Sequence, residues 1–310
     1  YNVGTGVALI LVTVLQPQGI AGSIRQATSR IGRRAARRRR PEPATAGLSR
    51  APAHRDEPAE VSPTRPSTRA DVVLSVSDLS VWYSGVAALT DVSLQVRRGS
   101  IAGLIGPNGA GKTTLLDAVS GLTPARGDIV FDGVPLTGPP HRRARRGMAR
   151  TFQGLDLYEQ LTVHENVVIG QNLGDADRHD GHVRALLDEL GLGPLTEHAV
   201  AELSQGHRQL VSIARSLAGR PELLLLDEPA AGLDTTESEW LRTHLETVRR
   251  RGVTVLLIEH DVALVSAVCD VVHVLDFGRI IARGTPAEIH GSPEVAAAYL
   301  GTPETAAPTW

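Results

Sequence analysis

A parallel-sheet α/β fold is predicted for most of this 310-residue chain, on three observations. A short apolar run, SIAGLI (100–105), leads directly into GPNGAGKTT (106–114) and then into the helix-like TTLLDAVSGL. LLLLDE (223–228) and VTVLLIEH (253–260) are continuous apolar runs ending in carboxylates or an imidazole. That is the pattern of strands buried on both faces which deliver polar groups at one edge of a sheet. The composition, 42% hydrophobic and 21% charged with a mean hydropathy of -0.06, excludes a membrane channel and a wholly disordered chain. Only ten residues are Phe, Trp or Tyr, so the core must be built from Leu, Val, Ile and Ala.

Charge divides the chain before any motif does. Residues 1–70 hold 12 Arg against 4 acidic residues, net +8, whereas residues 71–310 carry 20 basic and 30 acidic residues, net -10. The apolar run VGTGVALILVTVL (3–15) would span about 20 Å as a helix, short of the roughly 30 Å of bilayer hydrocarbon. Its positive charge follows the run, in Arg25, Arg30, Arg33, Arg34 and Arg37 to Arg40, the reverse of a secretory signal and the order expected of a helix entering the cytoplasm. Residues 1–20 are therefore expected to be the end of a longer membrane segment, with a disordered leader as the competing reading. The Arg run is read as a topological or anionic-lipid patch in preference to a nucleic-acid patch. Six Pro and six Ala among residues 41–70 complete an Arg/Pro-rich linker over 21–70 that is not expected to pack.

From Val72 the texture turns to short β-rich runs, VVLSVS and VSLQV. Gly106, Gly111, Lys112 and Thr113 then satisfy G-x4-G-K-[ST] between a strand and a helix, the context that a phosphate-binding loop requires. Glycines at 106, 109 and 111 let successive N–H groups turn toward phosphate oxygens, and the helix adds its positive N-terminus. Lys112, the only lysine among 32 basic residues, places a mobile cation on the β- and γ-phosphates. The Thr113 hydroxyl suits Mg2+, and Thr114 can donate to a neighbouring oxygen. At the end of the LLLLDE strand Asp227 is expected to hold Mg2+ and Glu228 to act as general base on the attacking water. His260, delivered to the same edge, suits γ-phosphate contact. In LSQGHRQLVSIARSLAGRPE (203–222) Ser204 reads as an N-cap before an amphipathic helix. Such an end is a second anion cradle, which suggests a partner's nucleotide. The single cysteine, Cys269, sits in SAVCD and reads as a core filler.

The order of these motifs resembles the ATP-binding cassette (ABC) ATPases over about residues 72–301: the loop at 106–114, Gln153 in RTFQ, LSQGH, LLLLDEP, AGLD (231–234) and IEHD. The resemblance implies an ABC-type phosphate-loop fold: a parallel core sheet, an antiparallel β subdomain, a helical subdomain at about 150–220, and a tail at 302–310. It implies two cassettes that sandwich ATP and Mg2+. One would contribute the phosphate loop with Asn108, the other Ser204, Gly206 and, at the dimer contact, Asp234. It assigns Gln153 to Mg2+ and γ-phosphate sensing and Tyr83 to adenine stacking, with Trp82 the competing aromatic. The family's usual LSGGQ is LSQGH here; Gln205 replaces Gly, and His207 puts a titratable imidazole into the trans contact.

GMARTFQGLDLYEQLTVHENV and SPEVAAAYLG look like the ATPase of branched-chain amino-acid importers, and VALILVTVLQPQGIAG resembles the close of a permease subunit, so a permease–ATPase fusion is the expectation. The implied partners are transmembrane permease subunits, a second ABC ATPase in a homo- or heterodimer and, indirectly, an extracytoplasmic substrate-binding protein, with no nucleic acid. The implied location is the cytoplasmic face of the plasma membrane. A lipid or drug exporter is the nearest alternative. A soluble ABC protein acting on ribosomes or DNA would carry two cassettes or a long coiled coil, and neither repeats nor heptads occur. A regulatory cassette without catalysis sits poorly with intact Lys112, Glu228 and His260.

Overall fold

The computed structural model describes residues 71–152, 156–171 and 180–300. The expectations for residues 1–70, for Gln153 and for the tail at 302–310 fall outside these.

The described residues open on a hairpin. Strands β1 (Val72–Tyr83) and β2 (Val86–Arg97), 12 residues each, pair antiparallel through Tyr83 and Val86. They run well beyond the short runs legible in the sequence. Ser84 and Gly85, with φ of 49° and 87°, form a two-residue turn whose twist matches that of the strands. Asp132 and Gly133 join β4 (Arg126–Phe131) to β5 (Val134–Pro135) in the same way. These strands make a four-stranded antiparallel sheet in the order β2-β1-β4-β5.

The second sheet has six strands. β3 (Ile101–Ile105), β6 (Met148–Arg150), β7 (Leu223–Asp227), β8 (Thr254–Ile258) and β9 (Val271–Asp276) are mutually parallel, and β10 (Arg279–Gly284) returns antiparallel to β9. The spatial order is β10-β9-β3-β8-β7-β6. Every residue of β3, β7 and β8 is buried, and side-chain alternation explains why their sequences are unbroken apolar runs. Leu223, Leu225, Leu256 and Ile258 face one hydrophobic cluster together with β1, β2 and helix α1 (Lys112–Ser120). Leu224, Leu226, Val255 and Leu257 face the other.

That other cluster is covered by helices. It takes in α3 (Val163–Gln171), α4 (Asp180–Glu189), α5 (Gln205–Ala218), α6 (Thr235–Arg250) and α7 (Val262–Val268). The short α2 (Pro140–Arg145) lies just before β6. Arg143 of α2 donates to the carbonyls of Ala118 and Val119, placing a cation on the negative end of α1. After β10 come α8 (Pro286–His290), closed by a Thr285–Glu288 capping box, and α9 (Pro293–Leu300). Cys269 is buried between β3 and α7, with its sulfur 3.0 Å from where a Cβ on Gly103 would sit; burial pushes its thiol up to about 12. Among the described residues no helix is long and apolar enough to cross a membrane.

Candidate active site

Because β3, β7 and β8 are parallel neighbours, their C-terminal ends share one edge, and that edge receives the phosphate loop, Asp227, Glu228 and His260. Gly111 sits at the N-cap of α1 with φ 106°, and no side chain caps the helix. A Cβ there would meet Leu89 Cδ2 at 2.7 Å and the Ala88 carbonyl at 2.9 Å, so glycine is required both by conformation and by space. The first amides of α1 remain donors suited to an anion. Lys112 is 6% exposed, and its Nζ donates to the carbonyls of Gly106 (2.8 Å) and Pro107 (3.1 Å). Burial lowers its pKa, opposed by Glu228 and Asp227. Asn108 and Gly109 are exposed at the loop tip and Thr114 is half-buried.

Asp227 is buried and faces two ways. Its Oδ1 accepts from the Thr113 hydroxyl at 3.5 Å, a juxtaposition of two hard oxygens that suits Mg2+ sharing phosphate and water ligands. No group of three or more His, Cys, Asp or Glu able to hold a metal occurs among the described residues. Its Oδ2 accepts from Arg150 at 3.1 Å, and the same guanidinium pairs with Asp117 of α1 at 2.7 Å. Burial raises the Asp227 pKa despite Arg150, with Glu228 and Asp117 adding to the rise. Arg150 is 6% exposed at its side chain and stacks over Phe152 at 4.9 Å.

Glu228 follows with φ 49°, a left-handed conformation of the kind that gathers at active sites; its amide donates to the Ile258 carbonyl of β8 at 3.0 Å. His260 is largely exposed, its side chain 59%. The carboxylate between these strands is Glu259, fully buried. It accepts from the amides of Ala230 (2.7 Å) and His260 (3.1 Å). Burial raises its pKa, and these amides with that of Asp261 oppose the rise. Glu259 thereby ties the turn after Glu228 to the residue that presents His260. Sequence reasoning missed both Arg150 and Glu259.

Ser204, Gly206 and Asp234 form a second cluster. Ser204 caps α5 by accepting from the His207 amide, and its hydroxyl lies 2.9 Å from His207 Nδ1. Asp234 caps α6 in a reciprocal box with Glu237. Glu237 also reaches the other helix: its Oε1 accepts from the Gly206 amide at 3.1 Å and from Ser204 Oγ at 3.3 Å. The His207 ring meets Trp240 of α6 edge-on at 4.8 Å. Tyr83 ends β1 half exposed, with its hydroxyl 3.2 Å from Thr123 Oγ1 beyond the C-terminus of α1, while Arg126 lies over Trp82 at 5.1 Å. Gln153 lies outside the described residues.

The sequence and the fold are similar to those of known proteins. The ABC transporter family model matches residues 89–231, and a model named for branched-chain amino acid ATP-binding cassette transporters matches residues 279–305. The chain is 35% identical over 252 residues to the high-affinity branched-chain amino acid transport ATP-binding protein BraF of Pseudomonas aeruginosa, covering 74% of this chain and 98% of that protein. It is 36% identical over 249 residues to LivG of Salmonella typhimurium, which carries the same description, with coverage of 74% and 98%. It is also 36% identical over 233 residues to the lipopolysaccharide export ATP-binding protein LptB of Escherichia coli, covering 74% and 97%. Crystal structures of an ABC-transporter cassette, nucleotide-free and in an ADP conformation, each align with a TM-score of 0.68 at 28% identity, covering 74% of this chain and 99% of theirs. The chain belongs to the ATP-binding subunits of ABC transporters, α/β phosphate-loop proteins that hydrolyse ATP to power transport.

Proposed function

We propose that this subunit powers an importer of branched-chain amino acids from the cytoplasmic face of the plasma membrane, paired with a second cassette and with permease subunits that receive cargo from an extracytoplasmic binding protein. The carrying observation is the match over residues 279–305, which begins at β10 and runs through α8 and α9, outside the ATPase motifs. The similarity to BraF and LivG supports the same substrate.

Each residue acts through its position. The phosphate-loop amides and Lys112 bind the triphosphate, and Thr114 donates to a phosphate oxygen. Thr113, Asp227 and Gln153 would hold Mg2+, which supplies neutralisation of phosphate charge. Glu228 takes the proton from the water that attacks the γ-phosphorus as the bond to the β-phosphate oxygen breaks, and His260 holds that water against Glu228. Tyr83 stacks on the adenine. Ser204 and Gly206 meet the γ-phosphate held by the partner cassette, and Asp234 lies at the dimer contact. A groove of about 510 Å3 between α2, β6, α3 and α5 is lined by Leu122, Met148, Phe152, Tyr158 and Ile169, of which Leu122, Phe152 and Tyr158 are exposed apolar side chains. It supports docking of the permease's cytoplasmic surface beside Phe152 and Asp156.

Reconstitution of the full chain with its membrane partner tests the proposal: leucine, isoleucine or valine delivered by the binding protein should stimulate ATP hydrolysis. Stimulation by a lipopolysaccharide, with none by these amino acids, would move the assignment to the exporter reading that the LptB similarity favours.

A further inference from the structure

Glu237 already holds the two donors that the proposed sandwich gives to the partner's γ-phosphate. Its Oε1 rests on the Gly206 amide and the Ser204 hydroxyl, the two donors assigned above to the partner's γ-phosphate. Its Oε2 accepts from the Asp234 amide at 3.4 Å, and its own amide donates to Asp234 Oδ1 at 2.8 Å. A Cβ at residue 206 would stand 2.8 Å from Glu237 Oε1, so glycine admits the carboxylate as closely as it would admit a phosphate. A carboxylate and a phosphate both seek N–H and O–H donors at a helix N-terminus, and both gain there from the positive end of α5.

We propose that Glu237 is an internal carboxylate stand-in that holds the signature end of α5 against α6 in the single cassette, and that the γ-phosphate of the partner's ATP must displace it. Displacement breaks the side-chain half of the α6 capping box at the same moment, freeing the Asp234 amide. Arrival of the trans nucleotide is thereby transmitted to Asp234, the residue assigned to the dimer contact, and pairing is opposed until ATP concentration is sufficient. The inference rests on the two-cassette sandwich proposed above and adds a competitor to it.

The test uses the full chain together with its partner cassette, in a Glu228→Gln background chosen to slow hydrolysis, and follows pairing by sedimentation as ATP is raised. Adding Glu237→Ala should lower the ATP concentration at half-pairing, roughly three- to tenfold, because a charge-assisted competitor has been removed. Glu237→Gln, which retains the shape and an acceptor for the Asp234 amide, should shift the midpoint in the same direction by less and guards against misfolding of the alanine variant. An unchanged or higher midpoint in folded Glu237→Gln overturns the stand-in and leaves the sandwich intact. If the Glu228→Gln parent never pairs in ATP, the sandwich falls and this inference falls with it.

Discussion

The two ends of the proposed nucleotide sandwich are built by different means. The phosphate-loop end stands on the C-terminal edge of a buried parallel sheet, and its charges are fastened by contacts that cross the fold: Arg150 to Asp227, and Glu259 to the amide of Ala230. The signature end is a pair of helix N-termini on α5 and α6, joined by Glu237 and by the edge-on contact of His207 with Trp240. In the first, removing Arg150 strands the buried Asp227 carboxylate, and removing Glu259 strands the Ala230 and His260 amides. The second satisfies itself locally, and in the proposed sandwich it would exchange those partners when another cassette arrives. Chemistry is thus held by the interior, and pairing by the surface.

That contrast is broken most sharply at the chemical end. Lys112→Ala should weaken MgATP binding on the order of a hundredfold, since two charge-assisted contacts to phosphate vanish together; calorimetric titration with a non-hydrolysable analogue measures it. Glu228→Gln should retain binding while phosphate release falls on the order of 10^2 to 10^4-fold. Equal ATPase rates in parent and Glu228→Gln protein would remove Glu228 from its role as general base.

The third prediction concerns the fastening beneath that chemistry. Arg150→Ala leaves Asp227 and Asp117 facing each other around a buried gap, and breaking such a pair costs about 3–5 kcal/mol. Urea unfolding should show that loss; a change below 1 kcal/mol, the range of exposed ion pairs, would mean that the bridge from β6 does not hold this edge together.

How much of this was readable in advance follows sequence distance. The phosphate loop and LLLLDE declare themselves because their chemistry is contiguous and because burial on both faces makes each strand a single apolar run. Arg150 and Glu259 are silent because their partners lie 77 and 29 residues away, and one charged residue at a strand end is unremarkable alone. Glu237 did carry a signal: Asp-x-x-Glu after AGLD spells a capping box, although its reach to Gly206 depends on how α5 and α6 pack. The hairpins were also marked, by Ser84-Gly85 and Asp132-Gly133, turn pairs that fix the length of β1 and β2 better than the apolar runs do.

A fourth prediction moves into the interior of the sheet. His273 of β9 is fully buried, and burial first, then Arg283, lowers its pKa to about 4 from the ordinary 6.5, with the Gln95 backbone opposing. The unfolded imidazole takes a proton near pH 6.5 and the folded one only near pH 4, so stability rises with pH across that window and is lost on acidification. The full window is worth about 3 kcal/mol. Denaturant curves at pH 7 and pH 5 should show part of this slope in the parent and less of it in His273→Leu; an identical slope in both would assign the acid sensitivity elsewhere.

The smallest effect is expected at His207, where the signature segment departs from its family. The side chain contributes Nδ1 to the Ser204 hydroxyl and an edge-on contact to Trp240, while the donors assigned to phosphate are the Ser204 hydroxyl and the Gly206 amide. His207→Gln keeps a hydrogen-bonding side chain on the surface and exchanges one aromatic contact, worth about 0.5–1.5 kcal/mol, for the residue that relatives of this class use. ATP turnover by the assembled transporter should therefore be equal or somewhat faster, with a slightly lower melting temperature. A steep loss of turnover would show that the imidazole itself meets the nucleotide, and the signature end would then be a chemical surface as well as a pairing one.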